Sequence, residues 1–177
     1  MTSNKVFGIT GWKNSGKTQL VTELVAEFTR RGFKVSTVKH AHHNFDIDRP
    51  GADSYRHREA GASEVALVSG RRWALMHELR EEDEPPLDAI LARLAPCDLV
   101  IIEGYKREGH PKIEARRLEA RKQEPLAPGD PHILAIAADH AISGETLPVF
   151  DLNDIPGMAD FIAGTVGLPA PVEGAAT

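Results

Sequence analysis

Cysteine is nearly missing from this chain: among 177 residues only Cys97 is present. A single thiol closes no intrachain disulfide, so the fold must rest on a buried core, a usage compatible with a reducing compartment. Long apolar runs are missing too, and none approaches the roughly 20 residues that span a bilayer. The segment from Met1 to Lys5 leads into a strand without the apolar region of a signal peptide. A soluble cytoplasmic protein with no membrane partner is the expectation. Positive charge is not in excess: the formal net charge is −5, which argues against a general nucleic-acid binder. Basic doublets such as Arg71-Arg72 and Arg116-Arg117 are explained more simply by a solvated face. No internal repeat and no signal of a second domain is visible. One domain over residues 1–168 is expected, with a frayed tail over 169–177.

What is present is an α/β pattern. Val6 to Thr10 is an apolar run stopped by Gly11, which suits a buried first strand. Leu20, Val21, Leu24, Val25 and Phe28 recur at helical spacing, and Arg30-Arg31-Gly32 supplies the basic end and terminal glycine of a helix. Val35 to Val38 reads as a second strand, completing a βαβ unit and implying a parallel sheet. Further on, Asp53 to Ala60 predicts a short helix. Glu64 to Ser69 and Trp73 to Met76 predict a hairpin turned by Gly70-Arg71-Arg72. Leu87 to Leu94 predicts a helix, and Leu99 to Ile102 a strand covered on both faces. Residues 121–131 read as a surface connection. Ile133 to Ala137 and Pro148 to Leu152 read as strands, and Met158 to Val166 as the closing helix. The expected fold is α/β: a P-loop NTPase-like three-layer sandwich, its sheet mostly parallel, with a β-hairpin extension.

The chemistry begins at Gly11-Trp12-Lys13-Asn14-Ser15-Gly16-Lys17-Thr18, a Gly-x-x-x-x-Gly-Lys-Thr pattern lying between a strand and an amphipathic helix. Its glycines let the backbone curl so that successive N–H groups face one anion, and the helix adds free donors and the positive end of its dipole. Lys17 is expected to reach the β- and γ-phosphates, and the Thr18 hydroxyl to coordinate Mg²⁺. Gln19, next in the first turn, is counted with the nucleotide-binding residues.

Three strand-end groups join this loop. Glu103 closes the apolar run Asp98-Leu99-Val100-Ile101-Ile102. It reads either as a ligand to Mg²⁺ or to an attacking water, or as a cap on nearby backbone. The phosphate loop in the same chain favours the first. The segment His40-Ala41-His42-His43-Asn44-Phe45-Asp46-Ile47-Asp48 also reads two ways. It is a Zn²⁺ or Ni²⁺ site, since imidazole suits both, or a loop closing over the γ-phosphate with Asp46 or Asp48 as an outer acid to the metal. Its spacing matches no closed zinc pattern. Lys39 and His40, at the strand end, are candidates for phosphate contact. Asp139 is either a reader of a guanine edge or an acid opening a turn, because the Asn-Lys-x-Asp signature of many GTP-binding proteins is replaced here by Ala137-Ala138-Asp139.

Taken in order, these segments resemble the molybdopterin-guanine dinucleotide biosynthesis protein B (MobB) family. The phosphate loop is followed by Val38-Lys39-His40-Ala41-His42-His43 and by Asp46-Ile47-Asp48-Arg49-Pro50-Gly51-Ala52-Asp53-Ser54. Then come Ala60-Gly61-Ala62, Arg72-Trp73-Ala74-Leu75-Met76, Asp98 through Lys106, and Asp151-Leu152-Asn153-Asp154. The His-rich loop before Asp-x-Asp-x-Pro-Gly-x-Asp-Ser is the most particular of these. Residues 107–130 show no family pattern. The resemblance implies a GTP-binding adaptor, a weak GTPase and a homodimer, which assists GMP attachment to molybdopterin beside the molybdenum cofactor guanylyltransferase. GTP and Mg²⁺ are the implied ligands, and molybdopterin itself is a further candidate. On that analogy Lys17 and Glu103 are the catalytic residues, Thr18 and Glu103 carry the metal, and Asp139 is a candidate guanine reader.

The expected mechanism is a switch. GTP·Mg²⁺ orders residues 39–53 and hydrolysis releases them, slowly, because no water-positioning glutamine is evident near the loop. Arg49, Arg56 and Arg58 are candidates for a cation donated by a second subunit. Rival readings are a nickel or zinc metallochaperone GTPase, an ATP-dependent small-molecule kinase, and an interaction module that holds nucleotide without hydrolysing it. Trp73 reads as a core or dimer-interface aromatic rather than a stacking platform.

Overall fold

The computed structural model describes residues 4–41 and 45–169. His42 and His43 of the metal reading, and the tail from residue 170, lie outside the described residues. In chain order the elements are β1 (Lys5–Thr10), α1 (Lys17–Arg30), β2 (Val35–Lys39), α2 (Asp53–Glu59), β3 (Glu64–Val68), β4 (Trp73–His77) and α3 (Leu87–Leu91). They continue with β5 (Leu99–Glu103), β6 (Lys112–Arg116), β7 (Ile133–Ala138), β8 (Val149–Asp151) and α4 (Ile155–Val166). The chain divides into two compact units: Met1–His40 with Leu91–Thr177, and Ala41–Ile90.

The first unit is a six-stranded sheet in the order β2-β5-β1-β6-β7-β8, with every neighbouring pair parallel. β1 is therefore flanked by β5 and β6, strands that follow it much later in the chain. Its C-terminal end opens at such a change of order, where α/β proteins bind ligands. Phe7, Ile9, Leu99, Ile101, Ile113, Ala115, Ala135 and Ala137 share one buried cluster with Leu20, Val21, Leu24 and Phe28 of α1 and Met158, Ala159 and Ile162 of α4. Each large apolar side chain so buried contributes about 1.5–3 kcal/mol. The architecture is the α/β, P-loop NTPase-like one that the strand–loop–helix pattern predicts.

Two helices differ from expectation. α3 stops at Leu91 and passes into a tight turn in which Leu94 N–H donates to the Leu91 carbonyl at 3.2 Å. Pro96 disfavours helical backbone in the residue before it. α4 starts three residues early because the Asp154 side chain accepts from Gly157 N–H at 3.0 Å, and Pro156 suits a first turn.

The larger difference is β6, a central strand lying in the region that shows no pattern. Lys112 is fully buried, its ammonium bonded to Asp130 Oδ2 at 2.7 Å and to the Glu108 carbonyl at 2.5 Å. Glu114, also buried, accepts from the amides of Leu126 and Ala127 at 2.9 and 3.0 Å and from Arg116 at 2.8 Å. The two charges hold residues 126–130 to the sheet. The His110 ring lies against Gly8, where a Cβ would collide with it.

In the second unit β3 and β4 form the expected antiparallel hairpin, with Val65 opposite Met76 and Val68 opposite Trp73. Ser69 N–H closes the turn on the Arg72 carbonyl at 2.9 Å. Val65 and Met76 are buried, whereas Val68, Trp73 and Leu75, on the alternate face, are exposed. Among the described residues no helix is long and apolar enough to cross a membrane.

Candidate nucleotide-binding site

The loop from Gly11 to Thr18 takes its shape from left-handed backbone. Gly11, Asn14 and Gly16 have φ of 144°, 67° and 85°. A Cβ at Gly11 would sit 2.5 Å from both the Ala115 carbonyl and Ser15 Oγ, so no other residue fits there. Ser15 N–H returns to the Trp12 carbonyl at 3.2 Å, and Leu20 N–H is the first to bond along the helix, to Gly16. The amides of Lys17, Thr18 and Gln19 therefore belong to the donor-rich first turn, which carries neither a side-chain cap nor an acid. The Ser15 hydroxyl is buried without a partner among the described residues. This is an anion nest at a helix N-terminus.

Lys17 folds back over the nest, its ammonium 2.6 Å from the Trp12 carbonyl. Burial lowers its pKa; the Glu103 carboxylate opposes that shift, and Lys106 and Lys39 add to it. Thr18 Oγ1 donates to Glu103 Oε1 at 2.7 Å, and Glu103 is buried at the end of β5, the strand beside β1. Lys39, ending β2, places its ammonium 3.1 Å from the same carboxylate oxygen and 3.4 Å from Thr18 Oγ1. A cation thus already stands between two oxygen donors. Hydroxyl plus carboxylate fits Mg²⁺ by donor type.

His40 follows Lys39 at the end of β2, with its N–H bonded to the Glu103 carbonyl at 2.9 Å and its ring 4.7 Å from that of Tyr105. Trp12 donates Nε1–H to the Glu124 carbonyl at 2.7 Å, with the Lys106 and Lys122 ammonium groups 4.0 and 4.6 Å from its ring centre. Lys13 accepts Arg121 N–H on its carbonyl at 3.3 Å, and Gln19 accepts from Arg117 at 3.0 Å. Asp139 ends β7. Its Oδ1 takes Leu118 N–H at 3.2 Å and the His140 ring at 2.8 Å, and that histidine contact chiefly holds its carboxyl below the usual range.

Asp46 belongs to the second unit, where Arg58 meets both its oxygens at 3.0 Å. Arg58 also bonds Glu78 at 2.8 Å and lies 3.5 Å from Asp48, so carboxylates of its own unit satisfy its charge. Arg49 and Arg56 are exposed. Among the described residues no three His, Cys, Asp or Glu side chains group as a metal site. The residues absent from the sequence-based expectation are Lys106, Arg117 and Lys122. The signal for Arg117 is the basic doublet Arg116-Arg117, whose two members have different partners, and Lys106 ends the stretch that begins at Asp98.

The family model described as molybdopterin guanine dinucleotide synthesis protein B matches residues 6–139. The molybdopterin-guanine dinucleotide biosynthesis adapter protein of Haemophilus influenzae is 40% identical over 163 residues, covering 89% of this chain and 86% of that protein. The adapter protein of Escherichia coli K12 is 37% identical over 153 residues, covering 85% of this chain and 87% of its own length. Among solved structures, a MobB homolog from Bacillus stearothermophilus superposes with a TM-score of 0.68 at 29% identity, covering 93% of this chain and 99% of that one. With the family model and two relatives at this identity each matching over most of its length, the chain belongs to the MobB family.

Proposed function

We propose that this chain is an adapter in molybdopterin-guanine dinucleotide biosynthesis that binds GTP with Mg²⁺ and hydrolyses it slowly. The role follows the names of its relatives, and the observation that carries the nucleotide reading is the Thr18–Glu103 pair beside the Lys17 nest. Gly11 to Gln19 cradle the phosphates. Lys17 and Lys39 neutralise the terminal ones, and Mg²⁺ held at Thr18 and Glu103 would polarise them. Glu103 orients the attacking water. Hydrolysis is slow because the nearby Gln19 amide is engaged with Glu23 at 3.0 Å and with Arg117, rather than free to position water. Asp139 reads the base through the oxygen that Leu118 and His140 leave open.

A homodimer would use the exposed hairpin face of Val68, Trp73 and Leu75, an apolar surface of the kind that marks interfaces. The partner in the pathway would be the guanylyltransferase that performs the nucleotidyl transfer. Calorimetric titration with GTP, ATP and GDP, with and without Mg²⁺, tests the reading. GTP preference with Mg²⁺ dependence supports it. Equal or tighter ATP binding removes Asp139 as base reader and brings a kinase forward.

A further inference from the structure

The phosphate loop has two sides. Toward β5 stand Thr18, Glu103 and Lys39, the end that suits metal and the terminal phosphates. Toward β6 stands the segment of residues 117–124, which leaves that strand immediately after Arg116 and is tied to the loop by Arg121 N–H on the Lys13 carbonyl and by Trp12 Nε1–H on the Glu124 carbonyl. The segment is also braced from within. The Gln123 side-chain amide donates to the carbonyls of Arg117, Leu118 and Ala120 at 3.0, 2.9 and 3.1 Å, and Leu118 N–H is held by Asp139 at the end of β7.

At its head, Arg117 lies against Gly16, where a Cβ would stand 2.7 Å from Arg117 Nε, and its Nη2 donates to the Gln19 amide oxygen at 3.0 Å. The neighbouring Arg116 is consumed by the fold, paired with Glu114 at 2.8 Å and Glu145 at 3.2 Å. Arg117 has no carboxylate partner among the described residues and faces the first turn of α1, whose positive end repels a cation. A guanidinium left there, on a small cavity that Ser15 also lines, is satisfied by an anion, and its paired N–H groups match a phosphate.

From these contacts we infer that Arg117 is a ligand of the α-phosphate, and that residues 117–124 form the wall of the site on the nucleoside side. The inference rests on the nucleotide reading above. With metal and terminal phosphates toward β5, a nucleotide crossing β1 presents its α-phosphate to β6. Its nucleoside then lies beyond, toward Asp139 and the exposed side chain of Leu118. Arg117 therefore grips a group common to GTP and GDP, whereas Lys39 faces one that only the triphosphate carries.

Calorimetric titration of GTP and GDP into wild type, Arg117→Ala, Arg117→Lys and Lys39→Ala tests this, with thermal melting of each nucleotide-free protein. Arg117→Ala is expected to weaken both nucleotides by the same factor, about tenfold or more. Arg117→Lys should restore part of the affinity, and Lys39→Ala should weaken GTP much more than GDP. Unchanged binding to Arg117→Ala overturns the assignment, and so does a loss confined to GTP, which would place the arginine at the terminal phosphate. If Arg117→Ala melts low without nucleotide, Arg117→Lys decides. A lysine variant that melts like wild type yet loses GTP and GDP alike supports the α-phosphate contact, and one that binds like wild type overturns the need for a guanidinium. A wild type that binds neither nucleotide refutes the nucleotide reading itself.

Discussion

Thr18 Oγ1 and Lys39 Nζ converge on one oxygen of Glu103, at 2.7 and 3.1 Å. On the proposed reading, a divalent ion held at this pair would take the place of the lysine ammonium, which would free Lys39 for the phosphates. Glu103→Gln keeps the shape and removes the charge. It should abolish most of the gain in GTP affinity that Mg²⁺ gives over EDTA. It should also slow hydrolysis by about 100-fold or more, the range for loss of a group that positions or deprotonates a nucleophile. Phosphate release measured with and without Mg²⁺ checks both, and a variant with wild-type turnover leaves a nucleotide-holding module as the better description.

A second expectation concerns pH. Burial lowers the pKa of Lys17 in the free protein, with Lys106 and Lys39 lowering it further against the pull of Glu103. Bound phosphates favour the charged form, so binding raises that pKa again. Nucleotide affinity should therefore decline as pH rises through the lowered value, sooner than an ordinary lysine would dictate, with protons taken up on binding in that range. Calorimetry in two alkaline buffers of different ionisation enthalpy measures the uptake. Affinity that stays flat until ordinary lysines titrate would remove Lys17 from the phosphates.

How far the sequence discloses this site depends on how local each interaction is. The phosphate loop is legible because its work is done by backbone, and backbone curvature demands glycines at fixed spacing. β5 is legible because both its faces are buried, leaving Leu99 to Ile102 apolar without interruption. β6 is hidden for the opposite reason. Lys112 and Glu114 read as surface residues, and what makes them interior is Asp130 and the amides of Leu126 and Ala127, all more than ten positions away. The Arg116-Arg117 doublet is equally mute: only the folded chain gives one arginine two carboxylates and the other a helix N-terminus. Asp139 reads in sequence as either a base reader or a turn acid, and its bond to Leu118 adds a part that no local pattern carries.

The Lys112–Asp130 pair makes a stability prediction. The ammonium is completely buried, and the carboxyl of Asp130 is drawn below its usual range by Lys112 and His132 despite partial burial. Asp130→Ala strands the charge beneath residues 126–130 and should cost about 3–5 kcal/mol. Lys112→Met with Asp130→Ala should recover much of that, because no buried charge is then left unpaired. Urea unfolding of the single and double variants measures the difference. A double variant as unstable as Asp130→Ala alone would show that the segment needs the ion pair for more than charge balance.

Glu27 supplies the acid-side prediction. Its carboxylate is bonded by Arg30 at 2.8 Å and by Arg31 at 2.7 Å, and Arg31 reaches across to Asp160 of α4 at 2.5 Å and to the Pro156 carbonyl at 3.2 Å. The Arg30 bonds chiefly, then those of Arg31, pull its pKa down to about 2 against the effect of burial. The folded carboxyl thus stays ionised well below the pH at which the unfolded one protonates. Its contribution is complete above the usual glutamate range and disappears as pH falls toward about 2. Arg30 is exposed and its share is screened, so about 1 kcal/mol is expected at neutral pH. Glu27→Gln should show that deficit in urea midpoints near neutrality and converge on wild type as the solution is acidified. A deficit that persists unchanged into strong acid would place the loss in packing between α1 and α4 rather than in the charge.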